Sequence, residues 1–325
     1  MTGKVVERWK GRDMVAEGCP GKTLPDSFSI REMGAGDLAL VTDWARREGF
    51  CPGPWDVAIM RHADRRGGWV GCLDGQPVGC VMGVRYDDSF GFIGLFLVRP
   101  EHRGHGYGVA LWQRAMHHLR DVACIGLEAA PERLRDYGQW GFRPAHHTLR
   151  WSLPGHQLPS QRRPHCLSTA FPPGFRIVPA HAVSEPVVMA YDARHEATPR
   201  PLFLREWLQP STPGDAVLVV LDEWGCCRGF ARIRVALLPE RECLGWRIGP
   251  WLADHEALAG GLLDRLCGDR EGPVLVDAPE TNPRAGRLLE RRGFHPTSST
   301  IRMYRGTPPG LPIQDIYGLA CLELG

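Results

Sequence analysis

The chain has 325 residues, 43% of them apolar and 23% charged, with a formal net charge of +2. That length fits about two domains of ~150 residues each, and the composition excludes a disordered or fibrous protein. Basic and acidic residues are interspersed, which excludes a dedicated nucleic-acid surface with one strongly basic face.

The opening segment lacks the apolar core of a signal peptide, and no stretch approaches ~18 uninterrupted apolar residues. The expectation is therefore a cytoplasmic protein with no membrane partner. Eleven cysteines, irregularly spaced and without a CxxC pair, read as reduced thiols. The pairs His102/His105, His117/His118 and His146/His147 lack a second ligand cluster to complete a zinc set, so no metal is expected.

In chain order, residues 1–28 carry no hydrophobic period and read as an N-terminal extension. A unit spanning 29–152 follows. Ile30 and Met33 mark a short strand, Asp37 is a candidate N-cap, and Leu38, Val41, Trp44 and Ala45 lie at helical spacing. Two apolar runs flank Asp74-Gly75, the mark of a β-hairpin. "FGFIGLFLV" is a buried strand, and "GYGVALWQRAMHHL" a helix with Leu111, Ala115 and Leu119 on one face. "CIGLEA" is a further strand, and "ERLRDYGQW" a short helix closing at Gly141-Phe142.

The Pro-rich, polar stretch 153–173 is a linker. The pattern then returns over 174–325: a strand in "FRIVPA", a hairpin in "AVLVVLDEWGCCRGFARIRV", then "LGWRIGPWL", "LAGGLLDRLC", "PVLVDAP" and "NPRAGRLLERRGF". Gly293-Phe294 repeats Gly141-Phe142 at a spacing of 152, and the same spacing sets Gly108 on Gly260, Leu111 on Leu263 and Pro131 on Pro283. The chain reads as a duplicated domain.

"RPEHRGHGYG" (99–108) is the one loop with glycines at three alternate positions. A helix N-terminus offers unpaired N–H groups and the positive end of a dipole, a setting for an anion. Gly104, Gly106 and Gly108 remove the Cβ atoms that would hold a pyrophosphate away from those groups, His105 and Tyr107 share the same backbone, and Arg103 adds charge. A glycine turn that merely packs is the competing reading of the loop alone. A dinucleotide fold is disfavoured, because its glycines should follow the strand at once. Here Arg99 to Arg103 intervene.

Arg103, Gly106 and Gly108 fit an Arg-x-x-Gly-x-Gly pattern between strand and helix, and Tyr137, Gly141 and Phe142 fit Tyr-x-x-x-Gly-Phe. In both respects the first unit resembles the GNAT-type N-acetyltransferases, and the second resembles their fold in outline, like a bacterial tandem subgroup. The resemblance implies an α/β fold of two tandem GNAT-like domains, each a mixed, mostly antiparallel sheet flanked by helices. It implies acetyl-CoA as co-substrate without a metal, pantetheine pairing with the backbone of Phe96, Leu97 and Val98, and Tyr137 as the acid that protonates the leaving thiolate. Many relatives carry a general-base Glu on the central strand, and "FGFIGLFLV" has none. Glu128 is the leading substitute, with Asp87, Asp88 and Glu48 behind it, and a water chain is a further route.

The acceptor is expected to be a small amine, with Glu48, Trp55 and Tyr86 lining its site and the stiff segment "EGFCPGPW" (48–55) shaping it. At the 152 spacing Arg103 falls on His255, Gly106 on Leu258 and Tyr137 on Leu289, and Gly249-Pro250 is expected to interrupt the central strand. The second unit accordingly reads as degenerate, a brace for the first. The reading from another class is a non-catalytic acyl-CoA-binding or sensor protein. A third is transfer of an aminoacyl or longer acyl group.

Overall fold

The computed structural model describes residues 23–155, 171–240, 244–268 and 270–324. Most of the expected extension and linker, residues 1–22 and 156–170, lies outside the described residues. The first half runs β1 (Phe28–Glu32), α1 (Leu38–Arg47), α2 (Asp56–Ala63), β2 (Gly68–Leu73), β3 (Gln76–Arg85), β4 (Phe90–Val98), α3 (Tyr107–His118), β5 (Cys124–Ala129), α4 (Leu134–Gly138) and β6 (Arg143–Leu153). The second runs β7 (Arg176–Pro179), α5 (Glu185–Asp192), α6 (Pro201–Trp207), β8 (Ala216–Leu221), β9 (Cys227–Leu237), β10 (Leu244–Ala253), α7 (Glu256–Cys267), β11 (Val274–Pro279), α8 (Pro283–Arg291), β12 (His295–Arg305) and β13 (Ile316–Gly318).

Local chemistry explains most of these elements. Asp74 and Gly75 both take positive φ (49° and 76°), the backbone of a two-residue hairpin turn between β2 and β3. α8 starts on Asn282, whose side chain accepts the N–H groups of Arg284 and Ala285, with Pro283 first in the helix. α4 and α8 end alike. Phe142 N donates to Tyr137 O at 3.2 Å and Phe294 N to Leu289 O at 3.1 Å, each after a glycine at φ of 84° or 82°. Gly249-Pro250 does not interrupt β10; the strand passes through it and pairs with β9 on both sides, slipping register between Ile248 and Trp251.

One continuous sheet joins the halves, in the order β1-β2-β3-β4-β5-β12-β6-β11-β10-β9-β8-β7, with β13 beside β10. Only β4–β5 and β10–β11 are parallel among its pairs. α3 covers one face of the first half, burying Leu111, Trp112, Ala115 and Met116 against Trp69, Val81 and Ile93. α1, α2 and α6 cover the other face over Val70, Met82, Leu95 and Leu97, joined by Ala320, Cys321 and Leu324. The described cysteines are free thiols, all but Cys226 buried, and no described helix is long and apolar enough to cross a membrane.

The halves are not closed units. β12, made by the second, pairs with β5 of the first, and β6, made by the first, pairs with β11 of the second. The two exchanged strands then pair with each other. Buried charges mark the exchange. Arg302 of β12 donates Nε to Glu128 of β5 at 2.7 Å, and Arg150 of β6 donates Nε to Asp277 of β11 at 2.7 Å. Arg247 adds a second contact to Asp277 at 2.6 Å, with both side chains 1% exposed. Although burial opposes it, Arg150 and Arg247 hold the Asp277 carboxyl down to about 2.

Two outcomes follow from the exchange. A fragment of residues 23–155 should be insoluble, because β5 loses β12 and β6 loses both of its neighbours, and a soluble fragment with dispersed amide spectra would contradict it. Asp277→Ala, which leaves two buried guanidinium groups without their carboxylate, should cost about 3–5 kcal/mol in urea unfolding of the full chain.

Candidate active site

β4 and β5 run side by side only from Phe90↔Cys124 to Ile93↔Leu127. Beyond that pair they part, while β4 stays joined to β3 through Leu97↔Cys80 and Val98↔Gly79. The parting coincides with a bulge. Leu95 has φ of 47°, and the β3–β4 register shifts between Cys80 and Met82. Arg99 N donates to Val78 O on β3, so by strand alternation the N–H groups of Phe96 and Val98 face the gap left by β5. This is a strip of backbone offering donors and acceptors to an extended, amide-bearing ligand.

The gap leads to the glycine loop. Eight residues, 99–106, join β4 to α3. Gly104 (φ 79°) and Gly106 (φ 91°) are left-handed, and Gly106 is the N-cap of α3 with no side-chain cap. The first N–H groups of α3 have no intrahelical partner and point back over the loop. Gly108 serves packing as well, since a Cβ there would touch Phe96 and Val98 at 3.4 Å. Tyr107 contributes backbone only; its ring is buried and stacked on Phe28 at 4.6 Å. His105 is stacked on Tyr107 at 5.8 Å. Arg103 straps the loop in place, donating Nε to Val98 O at 2.8 Å and Nη2 to Glu48 at 2.5 Å.

Tyr137 lies on α4 against Trp112, ring centroids 5.0 Å apart, and Trp112 also meets Phe96 at 5.6 Å. One tryptophan of α3 thus brings Tyr137 and the free stretch of β4 onto the same apolar cluster. Burial pushes the Tyr137 hydroxyl up to about 12, so it keeps its proton across the neutral range.

The other expected residues do not gather there. Glu128 is 2% exposed in its side chain and is held by three donors: Arg302 Nε at 2.7 Å, Thr300 Oγ1 at 2.7 Å and Thr148 Oγ1 at 3.1 Å. It is the counter-ion of a buried arginine, and its lone pairs are largely committed. Asp87 caps its own turn, accepting from the N–H groups of Ser89 and Phe90, while Asp88 pairs with Arg85 at the surface. Tyr86 is half-buried, stacks on Phe90 and donates to Leu324 O at 3.1 Å. Trp55 is 55% exposed.

The middle of the 48–55 segment is buried, largely against the second half. Arg150 Nη1, on the exchanged strand β6, donates to Gly49 O at 2.8 Å, and from the second half Arg247 Nη1 donates to Phe50 O at 3.0 Å and Leu237 N to Pro52 O at 2.8 Å. Cys51 packs on Ala236 and Leu275, and Asp56 takes Arg234 Nη2 at 2.7 Å. The sequence offers no sign of these partners, which lie far along the chain. Only the tight Pro-Gly-Pro spacing hints that the backbone is pinned. Among the described residues, no cluster of His, Cys, Asp and Glu has the arrangement of a metal site.

In the second half the corresponding cleft is closed. β10 and β11 pair from Trp246↔Val274 to Ile248↔Val276 and then part as β4 and β5 do. β13 occupies the parting, pairing with β10 at Trp251 and Leu252, while Leu319 N donates to Asp277 O at 2.8 Å. Asn282 Nδ2 holds the approach, donating to Ile316 O at 2.9 Å. The loop is gone too. Two residues join β10 to α7, and His255 rather than Leu258 stands where Gly106 does. Glu256 then puts a carboxylate in the first turn of α7, paired with Arg291. The tail beyond β13 crosses both partings. A Cβ on Gly249 would strike Leu319 O at 1.9 Å, and one on Gly94 would strike Glu323 O at 1.9 Å.

Comparison with known proteins agrees with this geometry. Residues 38–142 match the model of the acetyltransferase (GNAT) family, and residues 188–318 that of an acetyltransferase (GNAT) domain. A holothin acyltransferase of Pseudoalteromonas sp. (strain SANK 73390) is 29% identical over 88% of this chain and 90% of its own. Among solved structures, a Pyrococcus horikoshii protein described as an acetyltransferase superposes with a TM-score of 0.71 at 20% identity, over 93% of this chain and 98% of that one. A tandem GNAT protein from the clavulanic acid biosynthesis pathway does so with a TM-score of 0.60 at 16% identity, over 87% and 99%. With a GNAT model matched in each half and the fold shared along nearly its whole described length, the chain belongs to the GNAT acetyltransferases as a tandem, two-domain acyltransferase.

Proposed function

We propose that the first half binds acetyl-CoA and passes its acetyl group directly to the amine of a small molecule, and that the second half binds no acyl-CoA. The observation that carries this reading is the parting of β4 from β5 immediately ahead of an uncapped helix N-terminus reached through two left-handed glycines. Its residues suit an extended thioester with a pyrophosphate at one end. The N–H groups opening α3 would hold the pyrophosphate together with Arg103, each contributing on the order of 0.3–1 kcal/mol, so that several must converge. The free edge of Phe96–Val98 would pair with the pantetheine amides. Val98 N–H is the candidate donor to the carbonyl oxygen as charge develops there.

Tyr137 is the candidate acid. It enters the reaction protonated, and the dry surroundings that raise it would raise a thiol beside it as well, keeping the two comparable. Glu48, paired with Arg103 of the glycine loop, remains the candidate on the acceptor side. An acyltransferase relative matching over most of both chains supports a small-molecule acceptor. One observation favours the alternative, a protein that binds acyl-CoA without turning it over: Glu128 is committed to Arg302, and β4 carries no carboxylate.

Titration calorimetry with acetyl-CoA is expected to give one site per chain, abolished by Gly106→Val, whose branched side chain both strains the left-handed N-cap and blocks the approach. Two sites would overturn the silent second half. Tyr137→Phe should lower turnover of a primary amine by ~10²-fold or more while acetyl-CoA affinity stays within about twofold. Unchanged turnover would remove Tyr137 from the chemistry.

A further inference from the structure

Direct transfer needs a group that takes a proton from the amine, and neither β4 nor Glu128 supplies one. On the face of the sheet opposite α3, where the halves meet, lies a cavity of about 10 Å³ walled by Tyr86, Phe90, Glu196, Arg200, Arg302 and Tyr304. That is about the room one water requires. Its height on the sheet is fixed by register. Phe92, Gly126 and Tyr304 lie abreast across β4, β5 and β12. The next position on that face, Glu128 beside Arg302, is level with the point where β4 and β5 part. Arg302 thus links the cavity to the level at which the strands part, on the side away from α3, where the tail residue Leu324 also lines the cavity.

Two of its walls are chemically unfinished. Arg302 is 4% exposed, its guanidinium lies 5.0 Å over the Phe92 ring and beside the Tyr304 hydroxyl, and its Nη2 has no hydrogen-bond partner of acceptable geometry. A buried guanidinium N–H of this kind calls for an acceptor. Glu196 comes from the second half, between α5 and α6. Arg200 binds Asp192 through Nε at 3.0 Å and Nη2 at 2.9 Å, and the same Nη2 reaches Glu196 at 2.5 Å. One guanidinium is thus shared by two carboxylates, and Asp192 holds the two-point contact.

We propose that Glu196 is the proton acceptor for the incoming amine, acting through one water seated between its carboxylate and Arg302 Nη2. The proposal rests on the acetyltransferase reading above. As the ammonium gives a proton to the water, the water gives one to Glu196, leaving a carboxylic acid and a neutral nitrogen. That nitrogen attacks the thioester carbonyl; the C–N bond forms, the C–S bond breaks, and Tyr137 supplies the proton that goes to sulfur. The second N–H proton, lost as the tetrahedral centre collapses, balances the one Tyr137 gave. Burial and the neighbouring Asp192 raise Glu196 to about 7, against the pull of Arg200 and Arg302. Tyr86 and Tyr304, the other titrating groups on the walls, are raised by burial and stay neutral.

The full-length protein and its Glu196→Gln variant test this, with acetyl-CoA affinity read by calorimetry. Thiol release would be followed from pH 5.5 to 9 with water, ethylamine, benzylamine and glycine methyl ester as acceptors. The expected result is a wild-type kcat/KM that rises with an apparent pKa near ~7, and a variant ~10²-fold slower without that limb and with unchanged affinity. Equal rates with the same limb would overturn the proposal. So would a wild-type protein that binds acetyl-CoA yet releases no thiol with any acceptor. Absence of acetyl-CoA binding would instead overturn the reading beneath it. A second measurement needs no acceptor. A carboxyl raised by folding contributes its stability below its unfolded pKa and loses it as pH rises through the folded one. The wild-type melting temperature should therefore fall relative to Glu196→Gln between about pH 4.5 and 7; a constant difference would contradict the cavity argument.

Discussion

The structure depends on the exchange of β6 and β12. Each strand is made by one half and buried in the other, and the charges that go with them cannot be satisfied at home. Glu128 waits on Arg302 and Thr300 from β12, and Asp277 waits on Arg150 from β6. Buried ion pairs add little net stability over well-packed apolar groups, but a broken one is expensive. They act here against mispairing. A one-residue slip of β12 would turn Ile301 and Met303 toward Glu128 and drive Arg302 into the apolar cluster under α3.

On this shared frame the halves differ mainly at their loops, where function usually resides. Both parallel pairs part in the same way. One parting opens onto left-handed glycines and a bare helix N-terminus; the other is filled by β13 and meets a helix whose first turn carries Glu256. The brace is therefore specific. The second half caps the Phe50 and Pro52 carbonyls, covers Gly94 with its tail, and brings Glu196 and Arg302 to the face opposite α3.

Much of this was legible in residue order, and the parts that were not share one physical cause. Turn chemistry at Asp74-Gly75, the apolar stripe of α3 and the closing Gly-Phe pairs act over a few residues, so they read directly. The glycine loop was legible because backbone access is written in the absence of side chains. Strand alternation says which residues of β6 and β12 face a core, but not whose core, so the exchange left no trace. The constant 152 spacing concealed a shortened loop, because α7 begins nearly one turn earlier and keeps its apolar residues on the same face. Glu196 carried no signal at all; its environment is assembled from the turn before β4, the start of β4, β12 and the segment before α6.

The exchange also sets a schedule. At a synthesis rate of about 5–20 residues per second, the ~150 residues between β6 and β12 take on the order of 10 s to emerge. For that interval β5 presents an open edge bearing Glu128, and β6 has neither neighbour. The half that carries the glycine loop and Tyr137 is thus obliged to wait, its edges exposed, for the half that carries Glu196 and Arg302. A nascent chain so arranged is a natural client for chaperones. Its yield in a cell should hinge on how long that edge stays uncovered, more than on the stability of the finished sheet.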